Sequence, residues 1–544
     1  MSTVGARAFP ALPSPRILEK SLTRSPTFRS FRLASHSGRF TRISTRQQRW
    51  FHESSRWADD LRHEQTREPL STSEGKPASR KTSNKESAGG KFNLYGDDWE
   101  DTADYAIKSF DDLPHRLFGA NQHMIINYEL KEALRIMLRQ FNAPIVYCFA
   151  YGSGVFPQED TGRSITEAEF RAVHPKPPEA LVKAQKGSPK VLDFVFGVTH
   201  TQHWHSINMK QHRDHYSGLA ALGSGAVSRV QDWGAGVYYH PYIEVNGMLI
   251  KYGVTSIDNL VNDLSTWDSL YLAGRLQKPV KILRDHPRVR LANQHNLIAA
   301  IRTAMLLLPP EFTEVDLYST IAGLSYMGDP RMSLPTENKS KVSNIVDNNT
   351  VHFRRLYAPL VKTLPNIAFT SPCRLDDEDW ILNPEANHKI QQDMDPTKRA
   401  NLVRRLPKAF RSRLYFQYQK KFSLPREEFT RMIQASARDD DSTAIKRRQG
   451  GEFERRIASD DPKQLQEIVR RVIRQTVNWP STTQSIKGLL TGGLRRSWRY
   501  MSEKIAKYRS GQRKSAAAKT ELKSEERSDS GAEAKKSGDE VKKD

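Results

Sequence analysis

"APIVYCFAYGSG" occupies residues 143–154, and "KVLDFVFGV" follows at 190–198. The first is an apolar run that ends in a glycine-serine turn, and the second is an apolar run interrupted by one carboxylate, Asp193. Both read as strands. Gly152 and Gly154 permit tight backbone angles and close approach of a ligand. Ser153 adds a hydroxyl, and the N–H groups that follow can point at phosphate oxygens. Alone, Gly-Ser-Gly after a strand is commonly just a turn. A lone carboxylate in an apolar strand is costly to bury unless it is paired or holds a cation. With the turn upstream, Asp193 reads as a metal ligand in preference to a loop-capping aspartate.

The surrounding sequence fills in a mixed fold. "INYELKEALRIMLRQF" (126–141) carries Leu130, Leu134, Ile136, Met137 and Phe141 at roughly helical spacing. Residues 159–190 are charged, contain "HPKPP", and read as a surface insertion. "GVYYHPYIEVNGMLIKYGV" (236–254) has Asn-Gly between two apolar alternating runs, a hairpin signal. Lys251 lies inside the second of these runs; it reads either as a phosphate ligand or as an edge lysine reaching water by its long stem. Helical patterns follow at 292–308 and 313–325. The fold class expected is α/β (α+β), a mixed sheet with helices followed by a mostly helical region. Residues 366–460 are polar and punctuated by prolines, and the last ordered element is expected over 483–509.

Charge and composition bound the function. The chain has 544 residues, a net charge of +23 and 37% hydrophobic residues, so part of its length reads as tail. Residues 1–52 hold nine Arg and one Lys against one acid, Glu19, without a long apolar stretch. That is the composition of a mitochondrial transit peptide. "RQQRWFHESS" (46–55) resembles its processing site, and 53–91 reads as linker. The Lys/Glu/Ser/Ala tail at 510–544 is nearly neutral, so the middle of the chain keeps roughly +13 and points to a polyanionic partner. Two cysteines argue against a disulfide scaffold or a Cys-based zinc site. No run of about 18 apolar residues predicts a spanning helix.

The Gly-Ser turn and the strand carboxylate resemble the nucleotidyltransferase superfamily, with two departures. The gap from Ser153 to Asp193 is long, and the position two beyond Asp193, usually acidic there, is Val195. Glu244 and, more weakly, Asp214 are the alternatives for a second carboxylate. An ordered series narrows the resemblance: "YGSGVF" (151–156), "WHSINMKQHRDHYS" (204–217), "NGMLIKYGV" (246–254), "LYLAGRLQKPVKI" (270–282), "IAGLSYMGDPRM" (321–332) and "QSIKGLLTGG" (484–493). These strings look like the mitochondrial phosphatidate cytidylyltransferase family, over about 115–365 with a further patch at 484–509.

The resemblance implies transfer of CMP from CTP to phosphatidic acid. The products are pyrophosphate and CDP-diacylglycerol, a precursor of cardiolipin and phosphatidylglycerol. It implies Mg2+ as cofactor and a peripheral place on the matrix face of the inner membrane. It also implies a nucleotidyltransferase-like domain (92–283), a winged-helix-like domain (284–365) and a C-terminal region (366–509). Asp193 would hold the metal, Gly152, Ser153 and Gly154 the triphosphate, and Lys251 a phosphate. No general base is required, because a phosphate nucleophile is already ionised near neutral pH. Two rivals remain at this stage: a matrix nucleotidyltransferase acting on nucleic acid, and an inactive import-maintenance scaffold, for which Val195 is the best argument.

Histidines 200, 203, 205, 212 and 215 cluster, but no cysteine accompanies them and their spacing fits no standard zinc pattern. Within the resemblance, Trp204, His205, Asn208, His215 and Tyr216 belong to a family string, which implies a structural or a substrate-binding role. Asp329 and Arg331 either reach the site or pair in a turn. Finally, Leu494, Trp498, Met501, Ile505 and Tyr508 fall within about 80° on a helical wheel, opposite Arg496, Arg499, Glu503 and Lys507. A lipid substrate favours a membrane-contacting helix over one docked on the core, with Arg496, Trp498, Arg499 and Ile505 at an anionic lipid surface. No nucleic acid partner is expected.

Overall fold

The computed structural model describes residues 107–492, except 159–165, 186–188, 334–339, 372, 376, 432–449 and 489. The expected transit peptide, the linker, the 494–508 helix and the 510–544 tail lie outside the described residues. So does part of the 159–190 insertion.

The core is a five-stranded mixed sheet in the order β3-β4-β2-β1-β5. Its strands are β1 (Tyr147–Tyr151), β2 (Leu192–Val198), β3 (Tyr238–Val245), β4 (Met248–Ser256) and β5 (Lys281–Arg284). β2 pairs antiparallel with β1 and parallel with β4, and β3–β4 is the expected hairpin. Its turn residues Asn246 and Gly247 have φ of 51° and 72°, the left-handed pair that a two-residue hairpin needs. The strands within 143–154 and 190–198 are thus adjacent. In register, Tyr151 lies beside Asp193 and Asp193 beside Lys251.

Alternation assigns the faces. Phe196 stacks on Tyr252, with ring centroids 5.0 Å apart, and meets Trp204 of the helix α2 (Thr201–Gln211) on one side of the sheet. Asp193, Val195 and Gly197 point to the other side. There Gly197 closes against Ile257 of α4 (Ile257–Thr266); a β-carbon at Gly197 would stand 2.8 Å from that side chain. The helix expected near 126–141 is α1 (Tyr128–Leu138). It buries Leu130, Leu134 and Met137 but leaves Ile136 exposed, on the side of the helix turned away from that stripe. α3 (Ser224–Asp232) packs beside α2.

The insertion at 159–190 is more than a surface excursion. Its short helices Glu167–Val173 and Glu179–Ala184 bury Phe170 and Leu181. Gln185 Nε2 donates to the Gly154 carbonyl at 2.9 Å, so the insertion braces the Gly-Ser turn.

After the short helix α5 (Ala273–Leu276), α6 (Pro287–Leu307) is buried nearly all round and packs on α4. It leads into α7 (Glu314–Leu324), α8 (Lys341–Asp347) and α9 (Thr350–Thr363). A small antiparallel sheet joins β6 (Glu311–Thr313), β8 (Lys389–Gln392) and β7 (Ile367–Phe369), in that order, and so brings residues on both sides of 365 together. A buried ion pair locks this region: Arg354 Nε donates to Glu314 Oε2 at 2.8 Å, with both side chains fully buried. Trp380 Nε1 donates to the other Glu314 oxygen at 3.1 Å. Farther on come α10 (Pro396–Arg404), α11 (Lys408–Lys421), α12 (Glu452–Ala458) and α13, helical over 462–488. None of the described helices is long and apolar enough to cross a membrane.

Candidate active site

The site starts at the ends of β1 and β2. Gly152 has φ of 81°, a left-handed conformation that favours glycine. A β-carbon there would also stand 3.2 Å from Asp193 Oδ2. The turn therefore needs glycine twice over, and the bare Cα leaves Oδ2 facing the turn. The other carboxylate oxygen, Oδ1, accepts from Lys251 Nζ at 3.1 Å, and both side chains are partly exposed. Lys251 also lies 4.9 Å from the centre of the Tyr239 ring. It is not an edge lysine seeking water: its amine stays on the Asp193 face of the sheet.

Gly154 has a different task. A β-carbon at Gly154 would stand 2.7 Å from the Val191 carbonyl, so this glycine lets the turn close onto the next strand. The N–H groups of Val155 and Phe156 donate to the Gly152 carbonyl at 3.1 and 2.9 Å. These two donors fold the turn, so a phosphate would have to use other groups.

Asp193, Lys251, Gly152 and Ser153 open into one cavity of about 350 Å³. Its other walls come from farther along the chain. Arg275 on α5 is held by Tyr271: its Nη1 donates to the Tyr271 carbonyl at 2.6 Å, and its guanidinium lies 3.9 Å from the Tyr271 ring centre. Its Nε donates to Tyr151 Oη at 3.4 Å, which ties α5 to the end of β1. Lys278 Nζ donates to the Gly274 carbonyl and, at 2.8 Å, to Ser325 Oγ. Lys278 and Lys341 share the Tyr326 ring, at 4.9 and 5.1 Å from its centre. Burial, with Arg275 and Lys341 nearby, pushes the Lys278 amine down to about 7.

Asp329 and Arg331 do both things expected of them. They pair, with Arg331 Nε donating to Asp329 Oδ1 at 3.0 Å, and both line the cavity. Burial works to raise the Asp329 carboxyl, but the bonds and charge of Arg331 outweigh it and hold it below its usual range. Five basic side chains thus meet two carboxylates on the cavity wall, a net positive lining suited to phosphates. Asn349 Nδ2 donates to the Pro157 carbonyl at 2.9 Å and clips the chain after the Gly-Ser turn to the α9 region.

The remaining sequence candidates lie elsewhere. Val195 is fully buried, so the usual second acid has no counterpart at that position. Glu244 is exposed on β3, and neither it nor Asp214 lines the cavity. The carboxylate that does join Asp193 there is Asp329. The histidines belong to the opposite face of the sheet. His205 bonds Tyr216 Oη at 2.9 Å and Gln231 Oε1 at 2.8 Å, while Asn208 donates to Tyr216 and Tyr252. Burial lowers His205 to about 4, so it is neutral. His212, Asp214 and His215 come close together, but the two imidazoles are stacked 4.3 Å apart and parallel to within 1°. One ion cannot lie in both ring planes.

Arg275, Lys278, Tyr326 and Lys341 were not singled out from the sequence. Arg275 and Lys278 stand three apart after the apolar run "LYLAG", a spacing that carries no signal of its own because the helix ends before Lys278.

The comparisons fit this geometry. Residues 134–507 match the family model described as phosphatidate cytidylyltransferase, mitochondrial. A protein of that name from Schizosaccharomyces pombe is 33% identical over 391 residues, 71% of this chain and 86% of that protein. The Saccharomyces cerevisiae protein of that name is 42% identical over 46% of this chain and 60% of its own length. The Xenopus laevis one is 34% identical over 69% of this chain and 93% of its own. A matched segment that spans the strand carboxylate, the Gly-Ser turn and both cation-bearing walls of the cavity settles the assignment: the chain belongs to the mitochondrial phosphatidate cytidylyltransferase family.

Proposed function

We propose that the protein transfers CMP from CTP to phosphatidic acid, releasing pyrophosphate and forming CDP-diacylglycerol. The observation that carries this reading is the convergence of Asp193, Lys251 and the Gly-Ser turn on one cation-lined cavity. A phosphate oxygen of phosphatidate attacks the α-phosphorus of CTP. The new P–O bond forms as the bond from that phosphorus to the pyrophosphate oxygen breaks. Both reactants are anions, so the protein's task is positioning and neutralisation of charge. Ser153 and the open Cα of Gly152 give the triphosphate room beside Asp193. Lys251, held at 3.1 Å from Asp193, supplies a cation at the strand ends. Arg275 supplies another, fixed in place by Tyr271.

Mg2+ is the proposed cofactor, and the donor set fits it. Mg2+ commonly binds through one or two carboxylates together with substrate phosphates and water. Here Asp193 turns one oxygen toward the turn, and Asp329 shares the cavity. Asp193 would hold the ion, which when bound would supply Lewis-acid neutralisation of phosphate charge.

We place the protein peripherally on the matrix face of the mitochondrial inner membrane. The N-terminal composition and the relatives' names support the organelle. The membrane surface is supported by α13, which exposes Trp479 and Ile486 within about 20° of each other. The opposite side of that helix carries Val477 and Ser481 to the cavity. The test is incubation of the purified protein with labelled CTP, magnesium, and either phosphatidic acid or RNA. Lipid-borne label supports the reading, and label on RNA alone rejects it.

A further inference from the structure

Asp263 stands in the last turn of α4 and is only 3% exposed. A carboxylate there meets two costs: it loses water, and it sits at the helix end where the carbonyl dipoles disfavour negative charge. Five donors offset them. Oδ1 accepts from Ser269 N at 3.0 Å, Ser269 Oγ at 2.8 Å and Leu270 N at 2.9 Å. Oδ2 accepts from Leu272 N at 2.8 Å and Ala273 N at 3.0 Å.

The loop so held is conformationally costly. Trp267 and Leu270 have φ of 56° and 54°, left-handed values that bulky side chains resist. Ser269, Leu270 and Tyr271 line the cavity, while Asp263 does not. The next contact in the series is the Tyr271 carbonyl, which receives Arg275 Nη1.

We infer that Asp263 is a positioning residue for the nucleotidyl transfer, an inference that rests on the transferase reading above. Its carboxylate clamps residues 269–273 in their strained turn and, through Tyr271, aims Arg275 into the cavity. Asp263 touches no substrate; its whole effect on turnover passes through Arg275.

The test is a double-mutant cycle on the full chain, with Asp263→Asn, Arg275→Ala and the pair. Turnover is read with CTP and phosphatidate vesicles below the melting temperature of every variant, and amide hydrogen exchange is read at Leu270, Leu272 and Ala273. Asn keeps the volume, but its NH2 group faces donors it cannot accept from. Asp263→Asn should speed exchange at those amides and lower kcat by about ten-fold or more when Arg275 is present. In the Arg275→Ala background it should cost less than about two-fold. If Asp263→Asn does not fold, Ser269→Ala removes one donor of the clamp, and its smaller loss should likewise vanish with Arg275→Ala. Independent losses that multiply in the double variant would overturn the inference. So would a lower melting temperature with unchanged turnover. Wild-type protein inactive on CTP and phosphatidate would sink the transferase reading instead, with the exchange data still testing the clamp.

Discussion

Asp193 commits one oxygen to Lys251 and turns the other toward Gly152, so its charge serves both neighbours. Asp193→Asn keeps the volume and loses that charge; it should abolish turnover and leave the melting curve close to wild type, and unchanged magnesium-dependent activity would remove Asp193 from the site. Within the turn, Ser153→Ala loses one hydroxyl and should reduce turnover moderately. Gly152→Val should be far worse, because valine resists a φ of 81° and its β-carbon would press on Asp193 Oδ2. Equal, mild effects would make the turn structural only. Lys278 gives a pH test. Its amine, lowered to about 7, is charged below that pH and neutral above it. CTP binding should therefore weaken as pH rises from about 6 to 8, and Lys278→Met should bind more weakly and show a flatter profile by titration calorimetry. Asp193 and the turn were legible because each is a local exception: a charge in an apolar strand, and glycines at a strand end. Lys278 and Lys341 were not. Each is an ordinary lysine in sequence, and only the fold puts both on the Tyr326 ring.

Elements were read best where their signal was local. The hairpin followed from Asn-Gly between alternating runs, and α6 and α7 from periodic apolar residues. β6, β7 and β8 are three or four residues each and pair across long separations, so no periodicity announces them. Their region depends on the Arg354–Glu314 pair, whose guanidinium also donates to the carbonyls of Trp380 and Asn383 at 2.8 and 2.7 Å. Arg354→Leu would leave Glu314 buried without its counter-ion and should cost about 3–5 kcal/mol in chemical denaturation. A loss below about 1 kcal/mol would mean that the pair is dispensable. The basic amphipathic segment 494–508 is argued from sequence alone. Arg496→Glu with Arg499→Glu should lower sedimentation with acidic liposomes, and wild-type binding should weaken as salt rises. Trp498→Ser with Ile505→Ser should reduce binding even at low salt, with CTP binding retained. Lost CTP binding and stability in the Ser variant, beside unchanged sedimentation of the Glu variant, would instead dock that segment on the protein.

For the whole molecule, the net charge signalled a polyanionic partner but could not say which. The cavity narrows it, because five basic side chains from separate parts of the chain line it together with one carboxylate-bearing strand end. That convergence was beyond the sequence: Asp193, Arg275 and Lys341 are joined by packing and not by spacing. The scaffold rival yields to the family match, since the relatives carry the name of a transferase; Asp329 lines the same cavity, paired to Arg331. The most direct test follows where each phosphate of CTP goes. Purified protein, magnesium and phosphatidate vesicles are incubated with CTP labelled at either the α- or the γ-phosphate, beside Asp193→Asn. α-Label should appear in the lipid and γ-label in pyrophosphate, and neither with the variant or without magnesium. Label released only as free phosphate, or lipid labelled equally by Asp193→Asn, would contradict the transferase reading.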